Sequence, residues 1–384
     1  MIMSSLAGQA YVIVAGFNRL NALGWNRKLI KASEKVHILA GALLPVVFFI
    51  LESYLFSHSD KSLERLTFFD FQPVTQVYMV AMTTIAILFT PLWLSIRPQF
   101  VIAKDRYHIA SEETFKQDTF QESPYSNKTT RVLGQIPRNE IAWTDANHKT
   151  LFIDRLPEKL RGLKIAHLSD IHLTGQLSYD FYHRAFNWIT QQQPDLVIVA
   201  GDIVDYDENL NDIEPVFATL TAPLGCYFVL GNHDKRLNDP MQICHRLTKI
   251  GWHDAGAQQR TLRYKSTSVE IVGNEKPWFD RYDYEIPPPD TDAWRLGIAH
   301  SPDQFTWGVS HKCSLLLCGH THGGQIRFPG FGPLIAPSMH GSKYASGVFY
   351  RSGTLMHVSR GMAGVHPLRW GCPPEVSILH LSSK

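Results

Sequence analysis

Five short apolar runs, each followed at once by a carboxylate, amide or imidazole side chain, constrain the fold of this chain more than any other feature. The runs are 163–168, 196–200, 226–230, 296–299 and 314–318. All have the length of β-strands, and the stretches 179–192 and 241–250 between or after them have the pattern of helices. Strands that alternate with helices predict an α/β domain, which we expect to begin at about Val132.

Residues with metal-binding side chains follow all five runs: Asp170, His172, Asp202, Asn232, His233, His300, His320 and His322. In open α/β sheets the carboxyl ends of the strands border one crevice, so these side chains should meet there. Carboxylate, amide oxygen and imidazole suit Mn, Fe or Zn. Eight candidates exceed what one ion can use while it keeps a position open for water. The set therefore favours two divalent ions, which a carboxylate such as Asp202 can bridge.

The ligand set also indicates a reaction. Two divalent ions with Asp170, Asp202 and a hydroxide keep a net positive charge, so the site should attract an anionic phosphate. Water bound to such ions loses its proton near neutral pH and can attack phosphorus. A histidine that binds no metal can protonate the leaving group. The pattern therefore predicts hydrolysis of a phosphate ester.

Other polar residues near these motifs have open roles. Asp205 and Asp234 either orient the ligands or belong to solvated turns. His167 lies inside the first run and is expected to be structural. Three arginines either hold a substrate phosphate or are ordinary surface residues: Arg327, Arg360 and Arg369.

Charge and cysteine content exclude two classes of protein. The 37 basic and 35 acidic residues give a net charge of +2, too balanced for a protein that covers nucleic-acid phosphates. The five cysteines show no C-x-x-C spacing, so we expect reduced thiols rather than a disulfide framework or a thiolate zinc site.

The first hundred residues contain two long apolar stretches, and the remainder contains none. Residues 71–96 carry no charge over 26 positions, which is enough to cross a bilayer. The stretch 36–56 includes Glu52 and is either a second span or a buried helix. Lysines and arginines before the first stretch and after the second predict cytoplasmic ends and an external loop at about 57–70.

The expected domains are a membrane region over 1–97, with spans 36–56 and 71–96, a linker or juxtamembrane segment over 98–132, and a catalytic domain over 133–384. The linker assignment rests on polar composition without sustained periodicity.

Taken together, the motifs D-x-H, G-D, G-N-H-D, H and G-H-x-H resemble those of the calcineurin-like metallophosphoesterase superfamily over roughly residues 150–384. CGHTHGGQIRFPG, VSRGMAG and RWGCPPEVSIL are similar to the YkuE/YaeI-like phosphodiesterase branch, whose members often carry an N-terminal membrane segment. The resemblance implies an α/β fold of two mixed β-sheets packed face to face and flanked by helices. A transmembrane helical hairpin would precede it.

The resemblance also implies residue roles. One metal would be held by Asp170, His172 and His322, and the other by Asn232, His300 and His320, with Asp202 bridging. His233 matches the catalytic histidine that binds no metal.

The implied function is a membrane-anchored binuclear phosphoesterase that hydrolyses a phosphodiester or pyrophosphate bond by attack of a metal-bound hydroxide. A lipid-linked substrate such as UDP-2,3-diacylglucosamine would suit it. Its expected location is the bacterial inner membrane, as a multi-pass protein with the catalytic domain in the cytoplasm and the hairpin in membrane lipid. The alternatives are a broad-specificity phosphodiesterase or phosphomonoesterase and a non-catalytic metal-containing membrane scaffold.

Overall fold

A computed structural model describes residues 1–57, 67–116, 122–281, 286 and 293–384. The chain divides into two compact units, Met1–Phe100 and Val101–Lys384. The α-helices are α1 (Ile2–Ala22), α2 (Arg27–Ser57), α3 (Pro73–Ser95), α4 (Pro98–Val101), α5 (Lys128–Gly134), α6 (Tyr179–Gln191), α7 (Ile213–Phe217), α8 (Met241–Lys249) and α9 (Phe305–Ser310).

The first unit contains two helices that are long and apolar enough to cross a membrane, Arg27–Phe56 and Pro73–Ser95. The backbones of α1 and α3 lie close together. A Cβ on Gly8 of α1 would lie only 1.9 Å from the carbonyl oxygen of Met82 on α3. The Glu52 carboxylate accepts a hydrogen bond of 3.0 Å from the backbone N–H of Gln72, the N-cap of α3. Its negative charge thus lies where a helix N-terminus stabilises it. Most of the expected loop at 57–70 lies outside the described residues.

The second unit contains two large mixed β-sheets. The strands of the chain are β1 (Tyr107–Phe115), β2 (Thr144–Ile153), β3 (Lys164–Leu168), β4 (Leu196–Ala200), β5 (Cys226–Val229), β6 (His253–Asp254), β7 (Arg260–Tyr264), β8 (Thr267–Asn274), β9 (Trp294–Ala299), β10 (Leu315–Cys318), β11 (Arg327–Phe328), β12 (Gly332–Pro333), β13 (Gly347–Arg351), β14 (Thr354–Val358) and β15 (Glu375–Ser383). One sheet has the order β1-β2-β15-β3-β4-β5-β6, and the other has the order β13-β14-β10-β9-β8-β7. Strands β11 and β12 form a separate hairpin.

The two sheets share one apolar core. Ile165, Ile198 and Val229 of the first sheet belong to the same buried cluster as Leu296 and Leu317 of the second. On its other face, the first sheet packs against Phe186 of α6, Phe217 of α7 and Ile243 of α8. Strand β4 is buried on both faces, which explains its unbroken apolar sequence. The predicted fold of face-to-face mixed sheets with flanking helices is confirmed.

The predicted linker over 98–132 is wrong in part. Strand β1 pairs with β2 in antiparallel orientation and extends the larger sheet, and α5 lies within the same range. Seven of the nine β1 residues are exposed, so the strand lacks the apolar alternation by which a half-buried strand is recognised. Val101 and Ile102 also pack on a cluster of the second sheet. The compact unit therefore begins about thirty residues before the expected boundary.

A buried ionic network crosses the larger sheet near its centre. The Glu375 Oε1 atom of β15 accepts a hydrogen bond of 2.6 Å from Lys149 Nζ on β2. Its Oε2 accepts one of 2.9 Å from the backbone N–H of Arg360, and the Arg360 side chain pairs with Asp145. Burial alone would raise the pKa of Glu375, but Arg360 and Lys149 hold it well below its usual value. Glu375 is therefore ionised in the folded protein.

The substitution Glu375→Gln should lower the free energy of unfolding by about 3 kcal/mol at pH 7, because it leaves buried cations without their counter-charge. The folded-state pKa is depressed, so the contribution of Glu375 is present above the unfolded value near 4.5 and is lost as the pH falls. The midpoints of guanidinium unfolding for wild type and Glu375→Gln, measured across this pH range, should become equal in acid. Glu158→Gln removes an exposed pair with Arg161 and should change little at any pH. A constant difference between wild type and Glu375→Gln would contradict the assignment.

Candidate metal centre

The loops that follow β3 and β4 lie side by side and continue the pairing of their strands. The backbone N–H of Asp170 donates to the Gly201 carbonyl at 2.9 Å, and that of His172 donates to the Asp202 carbonyl at 3.0 Å. The backbone N–H of His320, after β10 of the other sheet, donates to the Asp170 carboxylate at 3.0 Å. Both sheets therefore deliver their strand ends to one place, as the sequence predicts.

All eight predicted site residues are brought together. Three sets have ligand atoms within 4.8 Å of one another: Asp170, His172, Asp202 and His322 form the first, Asp202, His300 and His320 form the second, and His172, Asp205 and His233 form the third. Asp202 belongs to the first two sets. Asn232 Oδ1 lies 3.1 Å from His300 Nε2, and the rings of His233 and His172 are in contact, with centroids 4.6 Å apart.

The donor atoms fit two divalent cations. Asp202 Oδ2 and His320 Nε2 are buried and have no hydrogen-bond partner among the described residues, which is costly unless a ligand satisfies them. Burial alone would lower the pKa of His300, but Asp202 and Asp170 raise it to about 9. The negative charge that stabilises a proton on this imidazole would equally stabilise a metal ion bound beside it. The chemistry of the set therefore suits divalent metal ions.

Backbone strain concentrates at the same positions. A positive φ is uncommon outside glycine and persists only where the surrounding structure enforces it. Five of the seven predicted metal ligands have φ between 48° and 71°: Asp170, His172, Asp202, His320 and His322. These five residues follow β3, β4 and β10.

Close packing excludes side chains from two positions around Asp202. A Cβ on Gly231 would lie 2.2 Å from Asp202 Oδ1 and 2.8 Å from His300 Nε2. Gly201 has φ of +83°, and a Cβ there would lie 2.6 Å from His300 Nδ1. Only glycine fits beside the ligands at these two positions.

Asp205 orients two of the histidines. Its Oδ2 lies 2.7 Å from His172 Nδ1, and its Oδ1 pairs with His233 Nδ1. Burial would raise the pKa of Asp205, but the two imidazoles hold it far below its usual range, so the carboxylate is ionised. An ionised carboxylate favours a proton on each Nδ1 and leaves Nε2 free to face the centre. Arg236 Nη1, 2.6 Å from His233 Nδ1, competes with Asp205 for that nitrogen. Burial also lowers the pKa of His233 to about 4, which makes its ring neutral at pH 7. Of the two alternatives for Asp205, the structure supports the orienting role.

Asp234 joins the loops after β4 and β5. Its Oδ1 accepts hydrogen bonds from the backbone N–H groups of Ile203 and Val204, and its Oδ2 accepts one of 2.7 Å from Gly231. The side chain is buried, which excludes the solvated-turn alternative. Asp234 thus joins the backbone that follows Asp202 to Gly231, with both of its carboxylate oxygens.

Trp278 is a neighbour of the site that the motifs do not indicate. Its ring centroid lies 4.7 Å from that of His320 and 5.3 Å from that of His300, and its side chain is buried. It belongs to a loop between β8 and β9 and follows no apolar run directly. Sequence reasoning restricted to strand ends therefore cannot find it.

The three arginines considered as phosphate ligands bind protein groups instead. Arg369 is buried and donates to the carbonyls of Arg360 and Ala363. Arg327 Nε donates to the Gly323 carbonyl at 2.9 Å, and Arg360 pairs with Asp145. These contacts give all three a structural role in the loops around the centre.

Comparisons with known proteins agree with this geometry. The family model for calcineurin-like phosphoesterases matches residues 163–324. Phosphodiesterase YaeI of Escherichia coli is 30% identical over 66% of this chain and 94% of its own length. The uncharacterized metallophosphoesterase YkuE of Bacillus subtilis is 28% identical over 62% and 86%. UDP-2,3-diacylglucosamine pyrophosphatase LpxG of Chlamydia muridarum is 25% identical over 66% and 97%.

The first test of the site concerns Asp205. An asparagine there offers one acceptor oxygen for two Nδ1–H donors and turns an N–H toward the second ring. We expect Asp205→Asn to weaken metal binding 10- to 100-fold, the usual cost of losing an orienting partner. Metal titration followed by elemental analysis measures this. Asp207→Asn alters an exposed carboxylate two residues away, which binds Asn238, and should leave affinity unchanged. Equal affinity in the two variants would contradict the orienting role.

Proposed function

Since the chain belongs to the calcineurin-like metallophosphoesterase family and is a metal-dependent phosphoric ester hydrolase, we propose that it cleaves a phosphodiester or pyrophosphate bond at a two-metal centre. The observation that carries this proposal is Asp202, a buried carboxylate shared by two of the three ligand sets. Two ions bridged by one carboxylate lie close enough to act on one phosphate. The metal-dependent class matches the sequence prediction.

The residues divide into three roles in this proposal. Asp170, His172 and His322 hold one ion, Asn232, His300 and His320 hold the other, and Asp202 bridges. Divalent ions at these positions would lower the pKa of water and neutralise charge on the phosphate. Asp205 and Asp234 keep the ligands in place through the hydrogen bonds described above.

His233 is the proposed catalytic residue. Its Nδ1 pairs with Asp205 and lies 2.6 Å from Arg236 Nη1, and its Nε2 lies 4.0 Å from Asp202 Oδ2, outside the two ligand sets that contain Asp202. From there the ring can reach a phosphate bound at the centre. It would stabilise the transition state or pass a proton to the leaving oxygen.

The proposed substrate is an amphiphile whose phosphate lies at a membrane surface, such as UDP-2,3-diacylglucosamine. Two helices long and apolar enough to span a bilayer support this, together with the relative named as a UDP-2,3-diacylglucosamine pyrophosphatase. Lysines and arginines flanking the spans favour a cytoplasmic catalytic unit in a bacterial inner membrane. The relative named as a phosphodiesterase favours the second candidate, an enzyme of broad specificity.

Two variants separate metal binding from catalysis. Asp202→Asn should lose bound metal and hydrolysis together, because it removes the shared charged ligand. His233→Ala should keep its metal and lose roughly 10²–10⁴-fold in turnover, the range for one proton-transfer or charge-stabilising group. Metal content and hydrolysis of a model diester measure both, and the exposed His245→Ala is the control. Loss of metal in His233→Ala would make that residue a ligand, and normal turnover in Asp202→Asn would refute the bridge.

Truncation tests whether the helices only anchor the enzyme. A chain that begins at Val101 keeps β1 and should hydrolyse a water-soluble diester about as fast as the full chain. Its activity on a bilayer-embedded phosphate ester should fall, since the local substrate concentration is lost. A chain that begins at Asn127 deletes β1, so it exposes the edge of β2 and should aggregate or unfold at lower temperature. Equal losses on both substrates from the Val101 chain would show that the helices help to build the active site.

A further inference from the structure

The region that follows the fourth predicted strand has an unusual charge distribution. Residues 304–374 contain no aspartate or glutamate, although the whole chain has 35. The same 71 residues contain six lysines and arginines: Lys312, Arg327, Lys343, Arg351, Arg360 and Arg369. Arg360 pairs with Asp145, Arg369 is buried, and Lys312 and Arg351 lie beside the start of β10, at the end opposite His320. Arg327 and Lys343, both half-buried, are the cations of this region that lie near the metal-ligand loop.

Within this region large apolar side chains are exposed. Five of them define what we name the hairpin face: Phe328, Phe331, Ile335, Met339 and Trp370. The most exposed is Phe331, at 58%, in the turn between β11 and β12. The Phe328 and Trp370 rings are in contact, and the backbone N–H of Trp370 donates to the Gln325 carbonyl at 2.9 Å. Exposed apolar groups concentrated in one segment mark an interaction surface.

The hairpin face is built onto the metal-ligand loop. It begins six residues after His322, and Arg327 Nε donates to the Gly323 carbonyl. A Cβ on Gly324 would lie 2.3 Å from Pro333, so the hairpin packs directly on the backbone beside the ligands. Whatever binds the hairpin face is therefore held next to the metal centre.

We propose that the hairpin face docks the catalytic unit on an anionic lipid bilayer. Aromatic side chains with Arg327 and Lys343 nearby match the headgroup region of such a membrane in both polarity and charge. The acidic residue Asp303 contacts the face, and its carboxylate is bonded to the Ser338 hydroxyl and the backbone N–H of Met339. The inference rests on the proposed function, since it names the surface that presents the metal centre to a lipid-linked phosphate.

The test places a fluorescent label on the hairpin face of the full chain. A Cys244→Ser background removes the one cysteine that is not buried, and an environment-sensitive probe is attached at Phe331→Cys. Met241→Cys, on α8, is the matched control because it is also exposed. In nanodiscs that contain phosphatidylglycerol and chain-brominated lipid, we expect strong quenching at 331 and little at 241. Neutral lipid or high salt should reduce quenching at 331.

Activity gives a second measurement. Phe331→Ser with Ile335→Ser should keep wild-type turnover of a soluble diester and lose about tenfold on a phosphate ester embedded in anionic vesicles, whereas Met241→Ser should lose nothing. Equal quenching at 331 and 241 would overturn docking. Cross-linked dimers through residue 331 without quenching would assign the face to a second copy of the chain. Loss of vesicle activity without quenching would assign it to the substrate's own acyl chain. Quenching at 331 in a wild-type chain that hydrolyses no ester would refute the proposed function and leave the docking intact.

Discussion

The burial of two carboxylates, Asp170 and Asp202, is the constraint on which the rest of the catalytic unit depends. An isolated buried carboxylate is too costly to persist, so each needs donors or cations around it. Backbone N–H groups of His320 and His233 supply part of this. Burial raises the pKa of Asp170, whereas the charged imidazoles of His300 and His172 outweigh burial at Asp202 and lower its pKa. What remains unsatisfied is Asp202 Oδ2, which faces three imidazoles and, in the proposed enzyme, two cations.

The sandwich makes this burial possible because it surrounds the carboxylates with strand ends from both sheets. The parallel strands β3, β4 and β5 end side by side, and β9 and β10 end opposite them. Residues after β3, β4 and β10 adopt a left-handed conformation that an isolated loop would not hold. Rigid apolar strands behind the loops, and the Asp234 hydrogen bonds across them, support that conformation.

The sequence predicts those parts of this arrangement that follow one pattern, an apolar run with polar residues directly after it. Apolar runs predicted β4 to the residue and four other strands to within two residues, and polar residues after them predicted the eight converging side chains. Sequence reasoning could not find β1, whose exposed edge has no apolar pattern, or Trp278, which reaches the site from a loop. It also could not decide the role of Asp205. An aspartate that follows a strand looks the same in the sequence whether its side chain faces solvent or two histidines. Such contacts exist only in three dimensions.

The C-terminal motifs VSRGMAG and CPPEV lie far from most predicted ligands in sequence. The structure shows how both motifs support the ligand loops. Glu375 accepts from the Arg360 N–H and donates its own N–H to the Gly361 carbonyl. The next two residues of that loop, Met362 and Ala363, donate to the carbonyls of Ser169 and Asp170. The Ala363 carbonyl lies 3.2 Å from His322 Nδ1, so the imidazole can donate its proton there and turn Nε2 toward Asp170. The ionic network of β15 and the metal centre are therefore joined through four consecutive residues. A change at Glu375 should reach the ligands through the backbone, without any contact with substrate.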